Sequence, residues 1–206
     1  MVSKSGTLNN LRLMRLKAQK RNKNLRPRTK SSWKFFQQRI KDMKSANPKA
    51  FMMDPSLISR GSMVAGRVMY FEYEAITKNL EYWDKYPMTL IISFWSENGK
   101  VYFDGINFHY LPPELRYDLM IKLYQIRNNN RYDSSTKFLL TYETLMSSLS
   151  FSMYRKAYKK YLLSQVKSNI YQVESKYLEI ALNMPLARWV GNGGNSKVWS
   201  DTLKDM

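Results

Sequence analysis

The chain has 206 residues, 44% of them hydrophobic and 14% aromatic, and its 34 Lys and Arg against 16 Asp and Glu give a net charge of +18. It lacks cysteine and carries one histidine, His109, which excludes disulfides, thiolate metal sites, cysteine nucleophiles and multi-histidine metal centres. The longest apolar stretch, residues 87–95, is far short of the roughly 20 residues that span a bilayer, so no membrane segment is expected.

The charge is unevenly placed. Residues 1–50 hold fifteen Lys and Arg against a single acid, Asp42, whereas residues 51–206 set nineteen bases against fifteen acids. The division predicts an extended basic arm over residues 1–30 and one domain over residues 31–206. In the arm, Arg12, Arg15, Lys17, Lys20, Arg21, Lys23, Arg26, Arg28 and Lys30 follow at close intervals, with hardly any bulky apolar residue after Leu16. Such a segment cannot bury enough surface to fold alone. A concentrated positive field calls for a polyanion or an acidic protein surface. Nucleic acid, a groove on an acidic partner and plain solubility are the three readings it supports.

The domain opens with SSWKFFQQRIKDMK, residues 31–44, where Trp33, Phe36, Ile40 and Met43 recur at helical spacing. Asn47-Pro48 is read as its stop, and Asp54-Pro55 as the start of a short turn or helix around Ser56 to Ser59. Residues 67–74, RVMYFEYE, fit a strand with one buried face. Residues 88–95, MTLIISFW, form the next strand. Asn98-Gly99 follows as a hairpin turn, and KVYFDGINFHY, bent at Gly105, is the partner strand.

Residues 112–167 read as mainly helical. Pro112-Pro113-Glu114 opens one helix with a stripe of Leu115, Leu119, Leu123 and Ile126, residues 136–149 form a second, and residues 154–167 a third. On this third helix Arg155 and Lys159, and Lys156 and Lys160, are spaced by four so that paired charges share adjoining faces. These four cations could contact phosphates while Tyr154, Tyr158 and Tyr161 bury or stack; the alternative is a solvated face above core tyrosines. Residues 169–174 suggest a short strand, 179–185 a final one, and a helix runs from Ser196. The expected fold class is α+β: a small curved antiparallel sheet, with an SH3-like barrel as one form of it, packed with several helices and preceded by the basic arm. Residues 66–110 are its β-rich part, and residues 168–206 a mixed C-terminal part.

Catalytic chemistry is hard to find. Asp104, Asp118, Asp133, Glu72 and Glu114 are scattered, with no motif spacing of a hydrolase or metal-dependent nuclease. Residues 191–197, GNGGNSK, lack the phosphate-cradle spacing and read as a flexible turn. His109, among aromatics, reads as hydrogen-bonded structure, with pH sensing as the lesser branch. No enzyme, cofactor or metal is expected.

Five segments carry a resemblance: GRVMYFEYEA (66–75), YWDKYPM (82–88), DGINFHYLPPELR (104–116), YRKAYKKYLLSQVKS (154–168) and EIALNMP (179–185). In that order they resemble the DNA end protector family, short virion proteins of T4-like and related large tailed phages. The resemblance covers residues 66–206 and leaves the arm outside. It implies a non-enzymatic virion component, assembled in the host bacterial cytoplasm, that shields the terminus of packaged duplex DNA at the neck or tail. The partners it implies are DNA, other virion subunits in a homo- or hetero-oligomeric assembly, or both. A second reading is a purely structural neck, tail or baseplate component whose arm docks on acidic protein without touching DNA. A third is a nuclease or terminase-associated enzyme, whose carboxylates would have to converge around Mg²⁺.

Overall fold

A computed structural model describes residues 47–53, 57–77, 79–113, 115, 116, 119, 120, 151–174, 178, 181, 182 and 184–204. The basic arm and the expected helices at 31–44 and 136–149 lie outside these residues.

Asn47-Pro48 starts a helix, and the segment it is expected to stop lies outside the described residues. Asn47 accepts a hydrogen bond from the Lys49 amide at 3.0 Å, and Pro48 supplies the preset φ of a first turn. The resulting helix α1 (Pro48–Met52) buries Phe51 and Met52. The turn or helix expected at residues 56–59 is instead a strand, β1 (Leu57–Arg60), paired through the register Leu57 to Val173 and Arg60 to Ile170.

Six strands form one antiparallel sheet: β1, β2 (Val68–Tyr70), β4 (Met88–Glu97), β5 (Lys100–Asn107), β6 (Tyr158–Leu162) and β7 (Ile170–Val173), in the spatial order β1-β7-β2-β4-β5-β6. A second, two-stranded sheet pairs β3 (Tyr82–Asp84) with β8 (Trp189–Gly191). The strand β2 departs from the expectation of a single buried face, because Val68, Met69 and Tyr70 are all buried. Tyr70 packs with Met88, Leu90, Ile106 and Phe108 on one side, and Met69 packs with Phe71, Ile91, Phe103 and Tyr161 on the other. Two cores therefore share this sheet, one on each face.

The β4–β5 hairpin closes as expected at Asn98 (φ 51°) and Gly99 (φ 71°), the pair of left-handed residues that a tight hairpin turn requires. Between Ile91 and Ser93 the register shifts by a bulge opposite Gly105 and Asp104. A Cβ on Gly105 would stand 2.2 Å from the Leu90 carbonyl oxygen, so the close approach needs glycine. The expected bend at Gly105 coincides with this bulge. Beyond β6 a 3₁₀ turn (Leu163–Gln165) and the Tyr73–Val166 bridge lead into β7, so one segment runs from the outer side of β5 to the outer side of β2.

The α+β expectation of several helices packed on the sheet is wrong. The fold is mostly antiparallel β, eight strands in two sheets, with two α-helices delimited among the described residues, α1 and α2 (Asn195–Lys204). The largest error is at 154–167. There a 3₁₀ turn (Phe151–Ala157) leads into β6, which completes the open side of β5, because sheet pairing overrides the four-residue charge spacing. The strand expected at 179–185 is also absent: Leu178, Ala181 and Leu182 are helical, and all three are buried at helical spacing. Residues 113, 115, 116, 119 and 120 are helical, β7 occupies the expected strand at 169–174, and α2 the expected C-terminal helix.

Candidate nucleic-acid interface

The outer strand β6 and the β4–β5 hairpin place cations beside aromatic rings. Because the two-residue turn fixes the register, Trp95 faces Tyr102 across the hairpin, and their rings are nearly parallel, 12° apart with centroids at 5.6 Å. Lys160, the exposed residue of β6, places its Nζ 5.7 Å from the Trp95 ring centroid, within cation–π reach. Phe94 and Val101, on the same hairpin, are 39% and 41% exposed. Asp104, buried on β5, accepts from the Ser93 amide (2.9 Å), the Ser93 hydroxyl (2.7 Å) and the Tyr158 hydroxyl. That carboxylate is satisfied by neutral donors.

The four cations expected on one helix are distributed differently. Arg155 and Lys156 sit on the 3₁₀ turn, Arg155 exposed and Lys156 half-buried, while Lys159 and Lys160 belong to β6. Successive strand residues point to opposite faces, so Lys159 and Lys160 part company. Lys159 Nζ lies 3.9 Å from the Tyr110 ring centroid. Loss of solvent, with Lys156 nearby as the smaller cause, lowers its pKa from 10.5 to about 8. The tyrosines are not free stacking groups: Tyr154 and Tyr161 are buried, and Tyr158 is bonded to Asp104. Arg12, Arg15, Lys17, Lys20, Arg21, Lys23, Arg26, Arg28 and Lys30 lie outside the described residues.

Trp95 and Tyr102 escaped the sequence reading. Their signal was present, since counting back from Asn98-Gly99 pairs Glu97 with Lys100 and then Trp95 with Tyr102.

His109 belongs to a buried polar network behind this surface. Its Nδ1 donates to Asp84 Oδ2 at 2.7 Å, with both side chains 1% exposed. Asp84 also accepts from Asn107 Nδ2 (3.1 Å) and from the amides of Tyr86 (3.1 Å) and Arg188 (3.2 Å). Trp199 Nε1 donates to the His109 carbonyl at 2.9 Å, tying α2 to the network. Burial pushes the hydroxyls of Tyr70, Tyr110 and Tyr161 well above the usual tyrosine range. His109 is thus the hydrogen-bonded structural residue expected. Residues 191–197 are the end of β8 and the start of α2, joined by a Trp189 Nε1 to Asn195 Oδ1 bond of 2.7 Å.

Among the described residues no three His, Asp or Glu side chains gather as potential metal ligands, and no helix is long and apolar enough to cross a membrane. Of the scattered carboxylates, Asp104 is taken up as above and Glu72 pairs with Lys85 at 3.4 Å, while Glu114, Asp118 and Asp133 lie outside the described residues.

These features define a strongly basic protein built on an antiparallel sheet, with an aromatic and cationic surface at one end of a hairpin. The chain belongs to the family described as the phage T4 terminal DNA protecting protein, whose model matches residues 4–202. No curated protein and no solved structure matches it. The match begins at residue 4, so the basic stretch over residues 4–30 lies within the matched span and not outside it, as the five resembling segments had suggested.

Proposed function

We propose that this chain is a non-enzymatic virion protein of a tailed phage that occupies the terminus of the packaged duplex and shields it from exonucleases. The observation that carries the reading is the family match over residues 4–202. Protection of this kind needs no catalysis. A nuclease that starts at an end is blocked by any ligand whose occupancy of that end is high.

The charge distribution supplies the means. In this reading residues 1–30 act as the basic arm, and residues 31–206 as the domain that carries it. Arg12, Arg15, Lys17, Lys20, Arg21, Lys23, Arg26, Arg28 and Lys30 neutralise phosphates along the duplex, and Arg155, Lys156 and Lys160 extend the contact onto the domain. Lys159, turned toward Tyr110, adds to the local field without reaching outward. Each neutralised phosphate releases counterions, so the logarithm of affinity falls with the logarithm of salt by about 0.9 per phosphate. Neighbouring virion subunits complete the partners, in an oligomeric assembly.

The test is binding of the full chain, and of a variant with the nine arm cations changed to glutamine, to linear and circular duplex across a salt series. The reading expects tight linear binding with a steep slope that flattens in the arm variant. Weak binding, indifferent to the arm, would overturn it in favour of a structural component whose arm docks on acidic subunits.

A further inference from the structure

We propose that the Trp95–Tyr102 ring pair at the free end of the β4–β5 hairpin is the stacking platform for the terminal base pair of a duplex DNA end, with Lys160 taking an adjacent phosphate. This rests on the end-binding reading above and names the surface that tells an end from the interior. Interior base pairs are stacked on both sides and present only edges and phosphates, whereas the last pair exposes one flat aromatic face. Aromatic side chains beside cations take a base face without regard to sequence, and in a duplex only the last pair offers a free face to them.

The hairpin provides one. Trp95 and Tyr102 are only half-buried, nearly parallel, and among the described residues packed on neither core cluster. Burial of aromatic rings is a large part of what stabilises this domain, as the cluster of Phe71, Tyr73, Phe103 and Tyr161 illustrates, with Phe103 stacked on Tyr161 and the other contacts T-shaped. Two large rings held together outside the cores, under an ammonium group, are the exception. By strand alternation Lys100 shares their face. The carboxylates on that face are Asp104, already satisfied by Ser93 and Tyr158, and Glu97 at the turn. The surface is therefore a stacked aromatic pair with cations beside it, a stack that a terminal base pair flanked by phosphates extends.

The experiment compares a short blunt duplex with a covalently closed dumbbell of the same sequence, which has no open end, using the full chain and the double variant Trp95→Ala with Tyr102→Ala. Wild type is expected to prefer the open duplex. The double variant is expected to bind the open duplex about tenfold or more weakly while binding the dumbbell as before, and Glu97→Gln to strengthen binding to the open duplex. A variant that keeps the wild-type preference for open ends would overturn the platform alone. Equal weakening on both probes would also overturn it, by making the rings a general contact, as would displacement of the open duplex by single strands at equal or lower concentration. If wild type itself shows no preference, the end-binding reading fails and the platform with it. Should the double variant lose its cooperative melt, Trp95→Leu, which keeps apolar bulk without the ring, carries the same comparison.

Discussion

Asp84 and His109 form a buried pair at 2.7 Å that joins the two sheets: Asp84 ends β3, and His109 follows β5 directly. The carboxylate accepts two further amides and Asn107, so β3, the 3₁₀ turn after β5 and the chain before β8 meet at one side chain. Removing a buried charged partner strands the donors around it.

Asp84→Ala should therefore destabilise the protein by at least about 2–3 kcal/mol, because each buried donor left without its acceptor costs about 1–3 kcal/mol. Denaturant unfolding followed by circular dichroism measures it, and a loss below about 1 kcal/mol would show that the network is not a keystone of the fold.

Lys159 links stability to pH. Its folded pKa is lowered to about 8, from 10.5, chiefly by burial. Below about pH 8 it is protonated in both states, and the full cost of holding that charge in the folded protein is present. Between about 8 and 10.5 the unfolded chain binds more protons than the native one, so stability rises with pH across that window as the cost is relieved. Lys159→Met removes the charge, and its stability advantage over wild type should be greatest below pH 8 and shrink by about 1–3 kcal/mol toward pH 10. A difference between the two proteins that is independent of pH would contradict this assignment. The comparison with wild type cancels the tyrosines, whose raised pKa values act on both proteins alike.

Gly105→Ala places a methyl group 2.2 Å from the Leu90 carbonyl oxygen and 2.6 Å from Thr89 Cγ2. Neither the backbone nor the branched Thr89 can retreat without opening the β4–β5 ladder at its bulge. A loss at or above the upper end of the usual 1–3 kcal/mol for overpacking is expected, read as a lower melting temperature; an unchanged melt would mean that the hairpin yields freely there.

Deleting residues 1–30 should leave a cooperative thermal melt, because the arm carries too few apolar residues to contribute to a core. Disappearance of that transition would make the arm part of the folded unit.

The parts of this molecule legible in its sequence are those set by local chemistry. Asn98-Gly99 dictates its turn whatever surrounds it, Gly105 marks its bend, and the branched and aromatic run before the turn can only be a strand. The family, too, was legible in five short segments. What was not legible was decided at long range. Tyr158 to Leu162 carries a helical charge pattern, yet becomes a strand because β5 offers an unpaired edge fifty residues earlier in the chain. Leu178, Ala181 and Leu182 pass for a strand until their common burial reveals a helical face. The candidate surface suffered from the same cause: with the segment 154–167 read as a helix, its tyrosines looked available, while the rings that stand outside the cores, Trp95 and Tyr102, were hidden in two strands judged only by their propensity.

The central claim is that this chain protects a DNA terminus by occupying it. The most direct measurement is digestion of a linear duplex by a processive double-strand exonuclease in the presence of increasing protein, with a circular duplex nicked by an endonuclease as the control substrate. The account predicts that the linear duplex survives once its ends are saturated, while nicking of the circle proceeds at its unprotected rate under the same conditions. Linear DNA degraded at the unprotected rate, at protein concentrations that saturate binding, would contradict it.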